Sequence, residues 1–253
     1  MAEHGSADDT TEEQPKKSEL WDTVVVLFQA FLIALVIRTL LFQPFVIPSS
    51  SMVGTLLIGD YLFANKFAYG YSRHSLPFSP DIFEGRLFSS DPERGDIAVF
   101  KLPSDGSTDY IKRVIGLPGD VVELEGGQII LNGEPVPREP VDPFVHPDTG
   151  QTVPQFEETL PNGVTYRVLD LIENSMLDTS SQPFIVPEGH YFMMGDNRDN
   201  SSDSRTALVG YVPLENFVGR ADLIFFSMRE GSSPWQIWRW PSDARFGRIF
   251  DGL

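Results

Sequence analysis

Three consecutive serines, Ser49, Ser50 and Ser51, follow an apolar run that is long enough to cross a lipid bilayer. A serine hydroxyl becomes an effective nucleophile only when a neighbouring base removes its proton. Pro48 precedes the three serines, and Pro and Ser together also mark ordinary turns at the end of apolar segments. The segment therefore has two interpretations, a solvated linker or a nucleophile held at a membrane surface.

Lys112 is the best candidate for the base, because the sequence contains no G-x-S-x-G nucleophile elbow. Lys112 and Arg113 interrupt an apolar segment, and the period of two along a strand places Lys112 on the same face as Tyr110 and Val114. Burial disfavours the charged ammonium group. Lowering the pKa of a lysine from about 10.4 to about 8 corresponds to roughly 3 kcal/mol. The alternative is a surface lysine on an edge strand.

Residues 195–205 form a polar segment directly after the apolar residues 191–194. The segment contains three acids, two arginines and three serines. A solvated turn explains its Gly, Asn and Asp content. The density of charges instead predicts a buried polar network, in which arginine–carboxylate pairs fix loops and a hydroxyl orients a catalytic group.

The apolar residues 21–43 predict a transmembrane anchor, since a span needs about 20 residues. Arg38 then snorkels to an interface or lies in a protein niche. The alternative is a cleavable signal peptide, which has a shorter apolar core of about 7–15 residues and a small-x-small cleavage site. Pro44 and Pro48 are expected to end the helix.

Residues 1–20 are acidic and predicted to be disordered. Lys16 and Lys17 lie before the apolar run, and this charge distribution favours an inside N terminus. The bulk of the chain then lies on the outer face of the membrane.

After residue 60 the pattern changes to short strands, predicted over residues 96–100, 110–116, 121–124, 128–131, 166–172, 184–186, 191–194 and 218–227. The predicted fold class is mostly β, an antiparallel β-sheet domain preceded by one N-terminal transmembrane helix. The main β-domain comprises 44–125 and 183–228, and 126–182 form an inserted small β-subdomain that is rich in proline. Residues 229–253 are rich in Trp and Arg, which suits either a membrane interface or packing on the domain.

Composition excludes several classes of function. The chain has 253 residues, a net charge of −17 and no cysteine. The acidity argues against a nucleic-acid partner. Thiolate catalysis and disulfides are excluded, and the four scattered histidines show no metal-ligand spacing. We therefore expect no metal and no cofactor.

These segments together resemble the bacterial type I signal peptidases, which are membrane-anchored Ser/Lys proteases. Residues 48–56 resemble the family's nucleophile box, residues 94–96 and 110–120 its lysine box, and residues 195–205 its third box. Order and spacing agree from about residue 24 to residue 228. Three boxes in order after an apolar span are far more specific than any one of them.

The resemblance implies that Ser51 is the nucleophile, Lys112 the neutral general base and Ser201 the group that orients the lysine amine. The Ser51 amide and the Ser49 hydroxyl would form the oxyanion hole. The implied structural support comes from Asp196, Asp203 and Arg205. The implied substrate-binding residues are Phe45, Ile47, Met52, Tyr110 and Ile111. The implied substrates are secretory preproteins, bound extended along a strand edge and cut after a small-x-small motif at the outer face of the bacterial plasma membrane.

Two positions depart from the family pattern. Gly54 replaces the usual proline, which is expected to loosen the backbone after the nucleophile. Ser50 replaces the usual glycine and would be strained if its φ were positive. One alternative function is a catalytically silent, membrane-tethered β-domain that binds partners. Another is a self-cleaving Ser/Lys domain, but the chain has no basic DNA-binding region.

Overall fold

The computed structural model of the chain describes residues 17–76, 79–172 and 175–253. The described residues form two compact units, one that ends at residue 37 and one that begins at residue 38. Most of the predicted disordered tail, residues 1–16, lies outside the described residues, whereas residues 17–20 belong to a helix.

Helix α1 comprises Lys17–Leu40. Its segment Leu20–Leu40 is 21 residues long and apolar enough to cross a membrane. The helix ends three residues before the predicted boundary at residue 43. Phe42 already begins a β-strand, and Pro44 biases the residue before it towards an extended backbone.

Among the described residues, fourteen strands follow, together with one short helix and five 3-10 turns. The strands are β1 Phe42–Val46, β2 Asp60–Asn65, β3 Ile97–Lys101, β4 Asp109–Gly116, β5 Val121–Glu125, β6 Gln128–Leu131, β7 Glu134–Pro135, β8 Arg138–Val145, β9 Thr152–Thr159, β10 Thr165–Leu169, β11 Phe184–Ile185, β12 His190–Met194, β13 Val212–Pro213 and β14 Phe217–Ser227. Helix α2 is Trp240–Asp243, and the 3-10 turns are Arg73–Ser75, Arg198–Asn200, Leu214–Asn216, Ile237–Arg239 and Phe246–Arg248.

The main sheet has seven strands in the order β1-β2-β14-β3-β4-β12-β13, and its strand pairs are antiparallel. The eight predicted strands are all present, with bounds shifted by up to three residues. The sequence did not predict β1, β2, β7, β8, β9 or β13. The observed architecture confirms the predicted fold class.

Two smaller antiparallel sheets complete the domain, one with the order β10-β9-β8 and one with the order β11-β5-β6-β7. A tight turn at Asn132-Gly133 joins β6 to β7, and both residues have the positive φ (54° and 84°) that such a turn requires. Pro140 and Pro143 are tolerated in β8, because β8 is an edge strand with a bulge between Val141 and Phe144.

Apolar side chains from these sheets form the core in separate clusters. One cluster joins β2, β3 and β14 to the loop after β1, through residues that include Ile47, Met52 and Leu62. Another packs the other face of β3 and β4 against β12 and β14, with Phe100 and Val114 fully buried. Strand β4 is therefore buried on both faces, and its two basic residues lie between the clusters.

Candidate active site

Ser51 lies in a tightly turned loop between β1 and β2. Within this loop the Leu56 amide donates to the Met52 carbonyl at 2.7 Å, and the Val53 amide donates to the Ser50 carbonyl at 3.1 Å. The Ser51 carbonyl accepts from the Asn197 amide at 3.1 Å, and the Ser51 residue is 7% exposed. These bonds fix the position of the hydroxyl.

Lys112 reaches this hydroxyl from β4. Its Nζ lies 2.7 Å from Ser51 Oγ and donates to the Ile111 carbonyl at 2.8 Å. Lys112 is 3% exposed, and burial lowers its pKa to about 8, although Asp203 and Asp196 oppose this shift. The predicted pairing of a buried amine with a serine hydroxyl is therefore present, and the amine becomes neutral close to physiological pH.

The low pKa of Lys112 predicts a stability change for Lys112→Met. Between about pH 8 and pH 10.5 the unfolded chain binds a proton that the folded chain does not, so wild-type stability rises across this window. Below pH 8 wild-type Lys112 is charged in the folded state, and burial of this charge destabilises the fold. The uncharged methionine avoids this cost, so we expect Lys112→Met to be more stable than wild type by up to about 3 kcal/mol. Urea unfolding at pH 7 and at pH 10.5 measures the difference, which is expected to vanish at the higher pH. An equal difference at both pH values would contradict the assigned cause.

Arg113, the next residue, is also buried. Its guanidinium group forms a two-pronged ion pair with Asp196, at 2.9 and 2.6 Å, and donates to the Gly95 carbonyl at 2.8 Å. Asp196 also accepts from the Thr55 hydroxyl at 2.6 Å. Asp196 thereby connects β4, the serine loop and the polar segment 195–205.

The polar segment 195–205 is the predicted buried network. Asp203 is fully buried and accepts from Arg205 at 2.9 and 2.8 Å and from the Gly195 amide at 3.0 Å. Burial alone would raise the pKa of Asp203, but the hydrogen bonds and charge of Arg205 outweigh it and lower that pKa. The ion pair with Arg205 and the Gly195 amide thus hold the Asp203 carboxylate in place within the segment.

Ser201 differs from the expectation. It is 6% exposed, but its Oγ has no hydrogen-bond partner among residues 17–76, 79–172 and 175–253. The predicted hydrogen bond to Lys112 is therefore not formed, and the Ile111 carbonyl accepts from the amine instead. A side chain at Gly195 would collide with Ser201 Oγ, so the glycine allows this hydroxyl to lie close to the segment backbone.

The two serines before Ser51 also contact the site. Ser49 Oγ lies 3.5 Å from Ser51 Oγ. Ser50 Oγ accepts from the Asn200 amide group at 2.6 Å, and the Ser50 carbonyl accepts from Asn197 Nδ2 at 3.0 Å. Ser50 has no positive φ, so the expected strain is absent and its hydroxyl contributes a contact that glycine lacks.

Gly54 is required by its backbone conformation, in contrast to the expected loosening. Its φ is +115°, whereas a proline ring fixes φ near −65°. A Cβ at this position would also lie 3.2 Å from the Arg167 carbonyl oxygen. The proline that is usual in the family does not fit the loop of this chain.

We therefore expect Gly54→Pro to impair the protein rather than to restore a family feature. It should destabilise the fold by more than about 1 kcal/mol, because the native φ is incompatible with proline. Gly54→Ala should have a smaller effect of the same sign. Urea unfolding of both variants tests this order, and a Gly54→Pro protein as stable as wild type would show that the loop conformation is wrong.

The proposed substrate-binding residues are only partly accessible. Phe45 is half-buried against the cluster that contains Ile47, Met52 and Ile111, and these three are 2%, 0% and 9% exposed. Tyr110 belongs to the cluster on the other side of β4, but its ring centre lies 5.3 Å from Lys112 Nζ. Phe45 and Tyr110 are thus partly exposed, whereas the other three residues are buried.

The sequence did not predict the buried aspartate and the two tail arginines that hydrogen-bond to the serine loop. Asp60 is fully buried, accepts from the Leu57 amide at 2.7 Å and pairs with Arg248 at 2.7 Å. Arg248 also donates to the Thr55 carbonyl at 2.9 Å, and Arg245 donates to the Ile58 carbonyl at 3.1 Å. Arg245 and Arg248 of the tail thus pack on the domain, while Trp235 and Trp238 remain 86% and 74% exposed.

Two further features do not coincide with Ser51 and Lys112. A cavity of about 700 Å³ is lined by Thr55 and Arg113 but by neither of those two residues. Three carboxylates, Asp170, Asp178 and Asp199, have oxygen atoms within 4.8 Å of one another and could hold a cation. Protein donors already meet this cluster, because Arg138 pairs with Asp170 and the amides of residues 171 and 172 donate to Asp199.

Comparisons with known proteins agree with the resemblance found in the sequence. Residues 20–226 match the family model for "Signal peptidase, peptidase S26". A Signal peptidase I of Rickettsia prowazekii (strain Madrid E) is 47% identical over 239 residues, which are 87% of this chain and 89% of that protein. A Signal peptidase I of Rickettsia typhi is 44% identical over 240 residues, with the same coverage of 87% and 89%. A crystal structure of a signal peptidase I from Enterococcus faecalis V583 is 28% identical and covers 52% of this chain and 97% of that chain, with a TM-score of 0.32.

An antiparallel β-domain with a buried serine against a buried amine has the components of a serine hydrolase that works without histidine. The family is shown by the match of residues 20–226 to the family model and by the relative that is 47% identical over 87% of this chain. This chain belongs to the signal peptidases of peptidase family S26, and it is an enzyme, a serine peptidase. The resemblance found in the sequence is thereby confirmed.

Proposed function

We propose that this chain is a membrane-anchored serine endopeptidase that removes signal peptides from secretory preproteins after a small-x-small motif. Family membership supports removal of signal peptides by a serine peptidase. The observation that carries the proposed mechanism is the 2.7 Å separation of Lys112 Nζ from Ser51 Oγ in a buried site. In this mechanism Ser51 is the nucleophile and neutral Lys112 is the general base.

In the first step the neutral amine takes the proton of the Ser51 hydroxyl as Oγ attacks the scissile carbonyl carbon. The tetrahedral intermediate carries its negative charge on the former carbonyl oxygen. The Ser51 amide and the Ser49 hydroxyl are proposed to donate to that oxygen. Ser49 lies beside Ser51 Oγ, at 3.5 Å, which supports this assignment.

In the second step the Lys112 ammonium gives its proton to the leaving amine, and the peptide bond breaks. The signal peptide remains as an ester on Ser51. A water molecule, deprotonated by the again neutral amine, attacks the ester and releases the signal peptide and Ser51. Ser201 retains its proposed role of orienting the amine when substrate is bound, since its buried hydroxyl lacks a partner in the described part of the chain.

The extended substrate is proposed to bind along a strand edge close to Ser51. Strand β1 is an edge strand of the main sheet and leads directly into the serine loop. Phe45 on β1 and Tyr110 on β4 would contact the small side chains before the scissile bond. The restricted space next to Ile47, Met52 and Ile111 favours small side chains there, because these walls are already packed.

The membrane part of the proposal rests on α1. The Leu20–Leu40 segment supports a single span, with the catalytic domain on the outer face of the bacterial plasma membrane. The exposed Trp235 and Trp238 support contact of the tail with the interface. No metal, cofactor or nucleic acid takes part in the proposed reaction.

The pH profile of cleavage tests the proposed base. With a preprotein whose signal peptide ends in Ala-x-Ala, in lipid–detergent micelles, kcat/KM is expected to rise through a pKa of about 8, because only the neutral amine accepts the serine proton. Mass spectrometry of the products should place the cut after the second alanine. A profile that rises only near pH 10.4 would contradict Lys112 as the base. No cleavage by the folded chain at any pH would favour the silent β-domain instead.

A further inference from the structure

A second concentration of basic side chains lies outside the candidate active site. A cavity of about 380 Å³ is lined by residues that include Arg38, Lys66, His74, Lys101 and Asp109. Within the described ranges, three cationic side chains and only one carboxylate line this cavity, although the net charge of the chain is −17. Neither Ser51 nor Lys112 lines it, so the proposed peptidase mechanism does not explain these charges.

Lys66 is the buried side chain at the bottom of this cavity. It is 2% exposed, and its ammonium group donates to the Ser75 carbonyl, which leaves two N–H donors. In the described part of the chain it forms no ion pair. Burial and the nearby charge of Arg38 lower the pKa of Lys66 to about 8, while Asp109 opposes the shift. A buried cation next to another cation is destabilising unless an anion compensates it.

His74 adds a neutral donor. It is 5% exposed, and its Nε2 accepts from Arg73 Nε at 3.3 Å. Burial lowers the pKa of His74 to about 4, so the imidazole is neutral and its single proton lies on Nδ1. Nδ1 is buried and has no partner among the residues that the structure describes. His74 Nδ1–H is thus an unsatisfied buried donor in a cavity that Arg38, Lys66 and Lys101 also line, and it could donate to an oxyanion there.

The surroundings of the cavity indicate where the anion comes from. Arg38 lies in the last turn of α1, and Tyr71 Oη donates to the Leu40 carbonyl at 2.6 Å. The Lys66 amide donates to the Leu41 carbonyl at 3.0 Å. This hydrogen bond connects the residue after the apolar helix to the bottom of the cavity. Phe67, next in sequence, is 49% exposed. Basic and aromatic side chains at the end of a span are the residue types found at lipid headgroups.

We propose that Arg38, Lys66, His74 and Lys101 form a binding site for a phosphate group, supplied by the headgroup of an anionic phospholipid. Lys101 pairs with Asp109 at 2.9 Å, and a phosphate oxygen would share its ammonium group. The choice of a lipid as the source rests on the proposed membrane anchoring of α1. The phosphate site itself depends only on the cavity.

Calorimetric titration of the full chain in an uncharged detergent tests the site. The probes are dihexanoyl phosphatidylglycerol, inorganic phosphate and dihexanoyl glycerol, which lacks the phosphate. We expect saturable binding of the phospholipid, weakened about fivefold by Arg38→Gln and about fivefold by Lys101→Gln. Arg167→Gln removes the same charge from an exposed position outside the cavity and is expected to leave binding unchanged.

The outcomes separate the two sources and the two proposals. Binding of inorganic phosphate as tight as that of the phospholipid, with the same effect of the variants, would support the phosphate site with free phosphate as its ligand. The proposal is overturned if neither phosphate compound binds, if dihexanoyl glycerol binds equally well, or if Arg38→Gln and Lys101→Gln bind like wild type while circular dichroism shows them folded. Ser51→Ala should bind like wild type, so a failure of the peptidase mechanism leaves this result unaffected.

Discussion

Ser51→Ala and Lys112→Ala are each expected to lower kcat/KM for cleavage of an Ala-x-Ala preprotein by about 10³-fold or more. The first removes the nucleophile, and the second removes the base that lies 2.7 Å from it. Because the two groups act in one proton transfer, the double variant should be no less active than either single variant. Cleavage rates measured in lipid–detergent micelles give the three values.

Two further variants serve as controls for this prediction. Ser202→Ala removes a hydroxyl from an exposed position in the same polar segment and should retain wild-type activity. Lys112→Arg keeps a long cationic side chain but cannot supply a neutral base, because arginine stays protonated. It should be as inactive as Lys112→Ala. Substantial activity in Lys112→Arg would contradict the role of Lys112 as general base.

Asp196→Asn is expected to destabilise the fold by about 3–5 kcal/mol and to lower kcat as well. The substitution leaves the Arg113 guanidinium group, which is nearly fully buried, without its two-pronged carboxylate partner. It also weakens the contact with Thr55, through which Asp196 holds the serine loop. Urea unfolding and cleavage at saturating substrate measure the two effects.

The matched control is Asp81→Asn, which breaks an ion pair with Arg73 in which the aspartate side chain is 81% exposed. Exposed pairs contribute little to stability, so neither unfolding nor cleavage should change. If Asp196→Asn were as stable as Asp81→Asn, Asp196 would not be a structural connection between the serine loop and β4. If it lost stability but kept its kcat, the connection would not position the nucleophile.

Local patterns in the sequence predicted much of the fold and the composition of the candidate site. Residues 110–116 form a predicted apolar strand that Lys112 and Arg113 interrupt, and a charge inside such a segment implies burial with a partner. The acids and arginines of residues 195–205 likewise predicted ion pairs, because so many charges are stable in a protein interior only when they are paired. The apolar segment before Pro44 predicted a helix from its length alone.

The tertiary structure decided which groups meet. Strands β1 and β2 were missed because Phe42–Val46 continues the apolar run of α1, and only pairing with Asp60–Asn65 makes it a strand. Ser201 shares its segment with Asp203, but its distance from Lys112 depends on how that segment packs. The partner of Arg198 is Glu158 from β9, 40 residues away in sequence.

The sequence by itself thus determined the apolar helix, most strands and the residue types of the site, since these follow from periodicity and from the free energy of burying charge. Only the tertiary structure decided the positive φ of Gly54, the fixation of the serine loop by Asp60 and Arg248, and the basic cavity around Lys66. Each of these depends on contacts between residues that are distant in the chain or on a backbone conformation set by such contacts. Local preferences do not specify either.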